Sequence, residues 1–269
     1  MSSEILPTKF EIRRNISFLY AAKRPILDLI LSFVLGFTIE YFGKIIGPVK
    51  VGFFCNDPTI RLTRLPQLVD GAMLMIFCFG ISISCIILVE LYSIYFVDRD
   101  EIFVDGEMQK PMHQRVTFVI TFTLTLVTKL SIGRLRPHFI DVCKPNIDLV
   151  ECSSKPLYIF DYVCTSGNTY ADMSARKSFF SGHSSFSMVS VSFCVFYIQH
   201  RLGYILNSQA VIPFIQMTLI SAGSMIGFSR IVDHSHHWSD VLVGQFVGIF
   251  VAYIIVFKIT RMFSKSKVL

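Results

Sequence analysis

Charge is what this sequence is short of. Of its 269 residues, 16% are Asp, Glu, Lys or Arg, against about 25% in a soluble globular domain. Apolar residues make up 52% of the chain and the mean hydropathy is +0.57, so too few polar residues remain to cover a water-soluble fold. Basic runs are missing too. The net charge is +6, but Lys and Arg are dispersed, which argues against nucleic-acid binding. Part of the excess falls at the edges of apolar runs, where it can meet anionic lipid headgroups. The chain lacks the acidic clusters that hold Mg²⁺, and its seven cysteines form no CxxC pair and no zinc-like Cys/His spacing. Residues 1–23 carry Glu4, Lys9, Arg13 and Arg14 without the apolar core or cleavage site of a signal peptide, so the first apolar segment is expected to remain as an anchor. No repeat or low-complexity tract is visible.

What the chain does have is six long apolar segments, roughly 25–46, 70–97, 114–133, 180–199, 209–228 and 239–260. Each is near the ~20 residues that a helix needs to cross ~30 Å of hydrocarbon. The expected fold is an all-α integral membrane protein of six transmembrane helices, with a cytoplasmic segment 1–24, a six-span unit 25–260 and a cytoplasmic tail 261–269. An even number of spans puts both termini on one side. Lys9, Arg13, Arg14, Lys23 and Arg24 before the first span, and Lys258, Arg261, Lys265 and Lys267 at the end of the last, favour the cytoplasm for that side. Cys78, Cys85 and Cys194 lie in apolar runs. Cys55, Cys143, Cys152 and Cys164 lie in connecting segments and can form disulfides in an oxidising compartment, in a pairing the sequence does not specify. The sequon Asn15-Ile16-Ser17 falls on the cytoplasmic side and is expected to be unglycosylated.

Three polar clusters interrupt the apolar pattern. The first runs from Lys129 through Arg134, Arg136 and Pro137 to His138, at the end of the third span. Ser181-Gly182-His183 opens the fourth, and Ser229-Arg230 to His236-His237-Trp238-Ser239-Asp240 joins the fifth to the sixth. Span counting puts all three on one face, extracellular or lumenal. A Lys, Arg or Asp at a helix centre costs roughly 2.5–3.5 kcal/mol on insertion scales, so such residues pair or serve function. One Arg alone reads as a snorkelling anchor. Lys129, Arg136 and Arg230 together with two histidines read as a site.

The chemistry that suits them is phosphoryl transfer, whose transition state spreads negative charge over three equatorial oxygens. Arg136 and Arg230 can grip those oxygens in pairs, and Lys129 adds a point charge. Ser181 offers a hydroxyl, and Gly182 lets backbone N–H groups approach at a helix start. Pro137 is expected to end the third helix. His236 and Asp240 stand four apart, so on a helix they would share a face, with the carboxylate fixing one ring nitrogen and leaving the other to attack phosphorus. His183 can protonate the leaving alkoxide and then activate water. The three cations supply the positive field, so no metal or other cofactor is called for. His234, His236 and His237 lack a second ligand group for zinc.

These clusters resemble the signature of the type 2 phosphatidic acid phosphatase superfamily, Lys-x6-Arg-Pro, Pro-Ser-Gly-His and Ser-Arg-x5-His-x3-Asp. Lys129, Arg136 and Pro137 match the first element, Ser181, Gly182 and His183 the second, and Ser229, Arg230, His236 and Asp240 the third. GRLRPHF, FFSGHSSFSM, HHWSDVLVG and Gly52-Phe-Phe-Cys-Asn-Asp57 are similar to the animal lipid phosphate phosphatase branch. The resemblance implies His236 as nucleophile, His183 as acid and base, and Asp240 as the orienting carboxylate. Lys129, Arg136, Ser181, Gly182, His183 and Arg230 would bind phosphate. It further implies metal-independent hydrolysis of phosphatidate, lysophosphatidate, sphingosine-1-phosphate and ceramide-1-phosphate at the outer or lumenal face; the expected location is the plasma membrane, with internal membranes as the alternative. Phe180 replaces the superfamily's proline, and the third loop lacks the sequon that relatives often carry. Oligomerisation is left open.

Three other readings stand beside this one. A catalytically inactive lipid-binding relative would have lost motif residues, yet every charged position is filled. A transporter would place charges along a span, whereas these gather at one face, and Asp28, Glu40 and Glu90 lie near the ends of their runs. A phosphatase of a soluble phosphate ester would keep the chemistry and lose the membrane substrate.

Overall fold

The computed structural model describes residues 30–31, 34–38, 40–43, 45–96, 112–148, 157–203, 206 and 209–259. The described parts of 30–46 are helical. The flanking segments 1–24 and 261–269 and the Asn15 sequon lie outside the described residues. Four long helices follow that agree closely with four of the expected apolar segments: α1 (Gly71–Phe96), α2 (Met112–Ile132), α5 (Gly182–Leu202) and α6 (Val211–Val232). A fifth, α7 (Trp238–Tyr253), runs on into a π-helical turn, Ile254–Ile259. By length and composition, Gly71–Tyr95, Val211–Val232 and Trp238–Ile259 can cross a membrane, and the apolar part of α2, Thr117–Ile132, is shorter. Their outward faces carry exposed Ile76, Leu88, Phe214, Met225, Phe246 and Phe250, as expected of surfaces that meet lipid.

Helix α5 is the axle of the bundle and packs against α1, α2, α6 and α7. It is also the most serine-rich helix, with Ser184, Ser185, Ser187, Ser190 and Ser192 all buried. Apolar attraction between helices is weak in lipid, so close backbone approach and side-chain hydrogen bonds carry association. Ser187 Oγ donates to the Gly223 carbonyl of α6 at 2.9 Å, and Thr125 and Ser185 hydroxyls meet at 3.3 Å between α2 and α5. On α7, a Cβ at Gly244 would lie 2.6 Å from the Ser181 carbonyl oxygen, and one at Gly248 2.6 Å from that of Ser185. Only glycine permits that approach. At the other end of α5, Arg201 donates to both Glu90 oxygens (Nε 3.0 Å, Nη2 2.8 Å), so the Glu90 carboxylate ties α1 to α5.

The long connections fold into a cap. A two-stranded antiparallel ribbon pairs β1 (Phe53–Phe54) with β2 (Tyr158–Ile159), in the register Phe53↔Ile159 and Phe54↔Tyr158. Beside it lie two short helices, α3 (Phe139–Cys143) and α4 (Thr169–Ser174). Phe53, Phe139 and Tyr162 form a mutual edge-to-face triangle with centroids 5.3–5.7 Å apart, and Cys143 is disulfide-bonded to Cys164. Cys55 is disulfide-bonded as well, while Cys78, Cys85 and Cys194 remain thiols.

Helix α2 ends within one residue of its expected bound, well ahead of Pro137. It stops at Ile132, where Gly133 turns at φ +63° and a side chain would collide with the Val49 carbonyl. The expected role of Pro137 as the helix terminator is therefore corrected. Residues 133–136 leave the helix before it, because a left-handed glycine turn already ends the hydrogen-bond ladder. Pro137 instead presents its carbonyl to the Leu62 N–H at 2.9 Å.

Candidate active site

The three polar clusters meet where α2 ends, α5 begins and the α6–α7 link turns. Ser181 caps α5 with its Oγ toward the Ser184 N–H, and its own N–H donates to the Asp240 carbonyl at 3.0 Å. The first turn of α7 is thereby fastened to the first turn of α5. Lys129 Nζ, in the last turn of α2, donates to the Lys177 carbonyl at 2.8 Å. Arg136 sits on the segment after α2, its N–H held by the Ala175 carbonyl at 2.8 Å. Arg230, in the last turn of α6, is 1% exposed. It forms an ion pair with Asp233, which is equally buried, and its Nη1 lies 3.5 Å from His183 Nε2. Gly182 stands beside Thr125 and Lys129, where an added Cβ would make ordinary contacts only.

His236 is 4% exposed. It does not lie on a helix with Asp240, and that expectation is corrected. The turn 233–237 separates α6 from α7, and His237, extended at φ −72° and ψ 155°, is the residue before α7. Asp240 sits in the first turn of α7 and accepts the His237 N–H with Oδ2 at 3.1 Å. The carboxylate is thus set by helix capping, and its Oδ2 faces His236 Nδ1 at 3.8 Å, too long for a direct hydrogen bond. Two residues not singled out for this role from sequence complete the arrangement. Ser178 Oγ donates to Asp240 Oδ2 at 2.6 Å and stands 3.5 Å from His236 Nδ1. Arg134 Nη1 donates to Asp240 Oδ1 at 2.5 Å and to Ser239 Oγ at 2.9 Å. Asp233, the partner of Arg230, was also not assigned. No local pattern marks Ser178. Arg134 stood in a motif string but carried no distinguishing spacing.

The neighbouring histidines have structural partners. His234 Nδ1 lies 2.9 Å from the Thr63 carbonyl, His138 Nδ1 2.8 Å from the His234 carbonyl, and His237 Nε2 3.0 Å from the Leu135 carbonyl. They bind the loops around the site to one another. Among the described residues no three His, Cys, Asp or Glu side chains gather as metal ligands.

The electrostatics are strongly positive. Lys129, Arg134, Arg136 and Arg230 are balanced within the cluster by Asp233 and Asp240. Arg230 joins the two imidazoles to this cationic space, with Nη1 3.5 Å from His183 Nε2 and its carbonyl holding the His236 N–H at 3.0 Å. Burial, then the charge of Lys129, holds the His236 pKa well below the ordinary imidazole range, against the opposing pull of Asp240. Burial and the Arg230 charge push Arg136 down to about 10. The Nε atoms of Arg136 and Arg230 are buried without a hydrogen-bond partner. A neutral buried imidazole among cations with unfilled donors suits an incoming anion.

Comparison with known proteins identifies the family. A family model described as the PAP2 superfamily matches residues 112–263, which hold all three clusters. The chain belongs to the PAP2 superfamily. Within it, the chain is similar to rat phospholipid phosphatase 1, 33% identical over 252 residues that cover 90% of this chain and 86% of the rat protein. Human phospholipid phosphatase 2 is 32% identical over 249 residues, 89% of this chain and 83% of that one. A Caenorhabditis elegans protein named phospholipid phosphatase homolog 1.2 homolog is 36% identical over 216 residues, 76% of this chain and 63% of its own length. No solved structure matches the chain. With its membrane-capable helices, this PAP2 superfamily member is an integral membrane protein.

Proposed function

We propose that this enzyme, a phosphatase of lipid phosphates, works through a phosphohistidine on His236. The fold carrying it is read as six spans over residues 25–260, flanked by cytoplasmic segments 1–24 and 261–269, with the site at the extracellular or lumenal face. Lys129, Arg136, Arg230, Ser181 and the Gly182 backbone hold the phosphate oxygens. With Nδ1 of His236 turned to Asp240 and Ser178, Nε2 is the atom that attacks phosphorus. The P–O bond to the lipid alcohol breaks as the P–N bond forms, and His183 gives its proton to the departing oxygen. Water then attacks the phosphohistidine, His183 takes the proton, and inorganic phosphate leaves with His236 restored. The substrates are phosphatidate, lysophosphatidate, sphingosine-1-phosphate and ceramide-1-phosphate, taken from the plasma membrane or an internal membrane. The observation that supports this reading is that Arg230 touches both histidines, its Nη1 3.5 Å from His183 Nε2 and its carbonyl accepting the His236 N–H at 3.0 Å.

The test is phosphate release from a panel of lipid phosphates added to intact cells, with His236→Ala as control, together with alkaline-quench trapping of labelled protein. Release by the wild type alone and a base-stable, acid-labile label lost in His236→Ala are the expected results. Turnover by His236→Ala would refute the nucleophile. Hydrolysis of soluble phosphate esters in preference to lipids would favour the other substrate class.

A further inference from the structure

Beside the cluster lies a second cationic space. A cavity of about 140 Å³ opens between the 61–70 segment, the loop after α2, and α4. Arg64, Gln67, Arg136, His138, Tyr170 and Ser235 contribute to its wall, and none of its lining residues is acidic. Water in the liquid occupies about 30 Å³ per molecule, so the space holds on the order of four or five waters. Ligand pockets for drug-sized molecules run to roughly 300–1,000 Å³. The cavity is too small for a lipid and large enough for a compact anion with a water or two.

Its position matters as much as its size. Arg136 is common to both spaces. It lines the cavity, and its charge acts on His236 and His183. Arg64 faces Arg136 closely enough for the two like charges to interact. The Asp141 carboxylate is engaged by the Arg64 backbone N–H at 2.8 Å. Ser235 immediately precedes His236, and its N–H is held by Asp233 Oδ1 at 3.1 Å. His138 is buried and neutral, its pKa pushed down to about 4 by burial and the Arg136 charge. With Nδ1 directed to the His234 carbonyl, its other ring nitrogen is the one left for the cavity. Two guanidiniums beside a neutral imidazole match an anion that still carries a proton.

The geometry points to this cavity as a second inorganic-phosphate site, a vestibule in which Arg64 receives phosphate passed along Arg136 from the catalytic cluster. This rests on the reading above only for the source of the phosphate. The cavity lies on the cap side of the bundle, away from the lipid-facing helices, so lipid can occupy the catalytic cluster while phosphate occupies the vestibule.

That double occupancy is measurable. Initial rates of lipid phosphate hydrolysis by the full-length enzyme in mixed micelles, at several fixed phosphate concentrations, give separate competitive and uncompetitive inhibition constants. Mixed inhibition is expected of the wild type. Arg64→Gln should weaken the uncompetitive constant at least fivefold and leave the competitive one within about twofold, and Arg64→Lys should recover most of the loss. Purely competitive inhibition of the wild type, or an uncompetitive constant indifferent to Arg64, would overturn the vestibule. A second readout needs no turnover: equilibrium dialysis of labelled phosphate against His236→Ala, which keeps the catalytic cations, should show two sites, one of which weakens at least fivefold when Arg64→Gln is added. Equal binding by both proteins also overturns it. If the wild type releases no phosphate from lipids, the dialysis arm still decides the vestibule, while the catalytic reading fails separately.

Discussion

Arg134 and Asp240, separated by 106 positions in the chain, form an ion pair 2.5 Å long in which the carboxylate is fully buried and the guanidinium is 37% exposed at its side chain. The pair joins the loop after α2 to the first turn of α7, and so fixes the carboxylate that faces His236. We read Arg134 as a positioning residue, since its Nη1 is engaged by Asp240 Oδ1 and Ser239 Oγ.

Arg134→Gln is therefore expected to lower kcat by on the order of 10- to 100-fold, the scale set by small misplacements of a catalytic group, with the KM for lipid nearly unchanged. Arg134→Lys should recover part of the rate. Steady-state kinetics on one lipid phosphate separates the cases, since a rise in KM at constant kcat would make Arg134 a phosphate ligand instead.

His183→Ala should slow the enzyme according to the leaving group. General acid assistance contributes typically 10²–10⁴-fold and is needed least by a good leaving group. Against an aryl phosphate whose alcohol is acidic, the variant should approach wild-type rates, while alkyl lipid phosphates suffer the full loss. A loss of the same size for both classes would remove the acid role.

The pH profile carries a sign that follows from burial. His236 is held neutral, so the acid limb of kcat/KM should fall below the ordinary imidazole value of 6.5. Arg136→Gln removes a cation that disfavours the imidazolium and should move the limb to higher pH. Asp240→Asn removes the nearest anion and should move it lower. Both shifts are read from kcat/KM across pH in a constant-ionic-strength buffer, and shifts of the same sign would show that the limb belongs to another group.

Gly244→Val tests the seam between α5 and α7. A Cβ at Gly244 meets the Ser181 carbonyl at 2.6 Å and the Ser184 side chain at 3.0 Å, so the helices must separate where Ser181 and Asp240 are joined. Overpacking of this kind costs typically 1–3 kcal/mol. Thermal unfolding in detergent should move to lower temperature, and activity should fall more than stability does. Surface-exposed Phe246→Ala on the same helix should leave both close to wild type.

Much of this protein was legible without a structure because its information is local. Long apolar runs specify helices, and α1, α2, α5 and α6 begin and end within about four residues of the segments read from hydropathy, α1 and α6 among those able to cross a bilayer. Lys129, Arg136, His183, Arg230, His236 and Asp240 are conspicuous because charge and imidazole at the ends of apolar runs are costly unless used. Side-chain alliances between distant segments have no such local signal. Ser178 and Arg134 reach Asp240 across 62 and 106 positions, and no periodicity links them. The spacing of His236 and Asp240 suggested a shared helix face, but the chain turns at 233–237 and capping sets the carboxylate instead. The serines of α5 read as polar, yet they form the interior, because in lipid the interior is where hydrogen bonds and close approach count. The sequence by itself determined the helices, the membrane and which charged residues and histidines interrupt the apolar pattern. Tertiary structure alone decided which partners orient them, since contact between remote segments depends on how the helices pack.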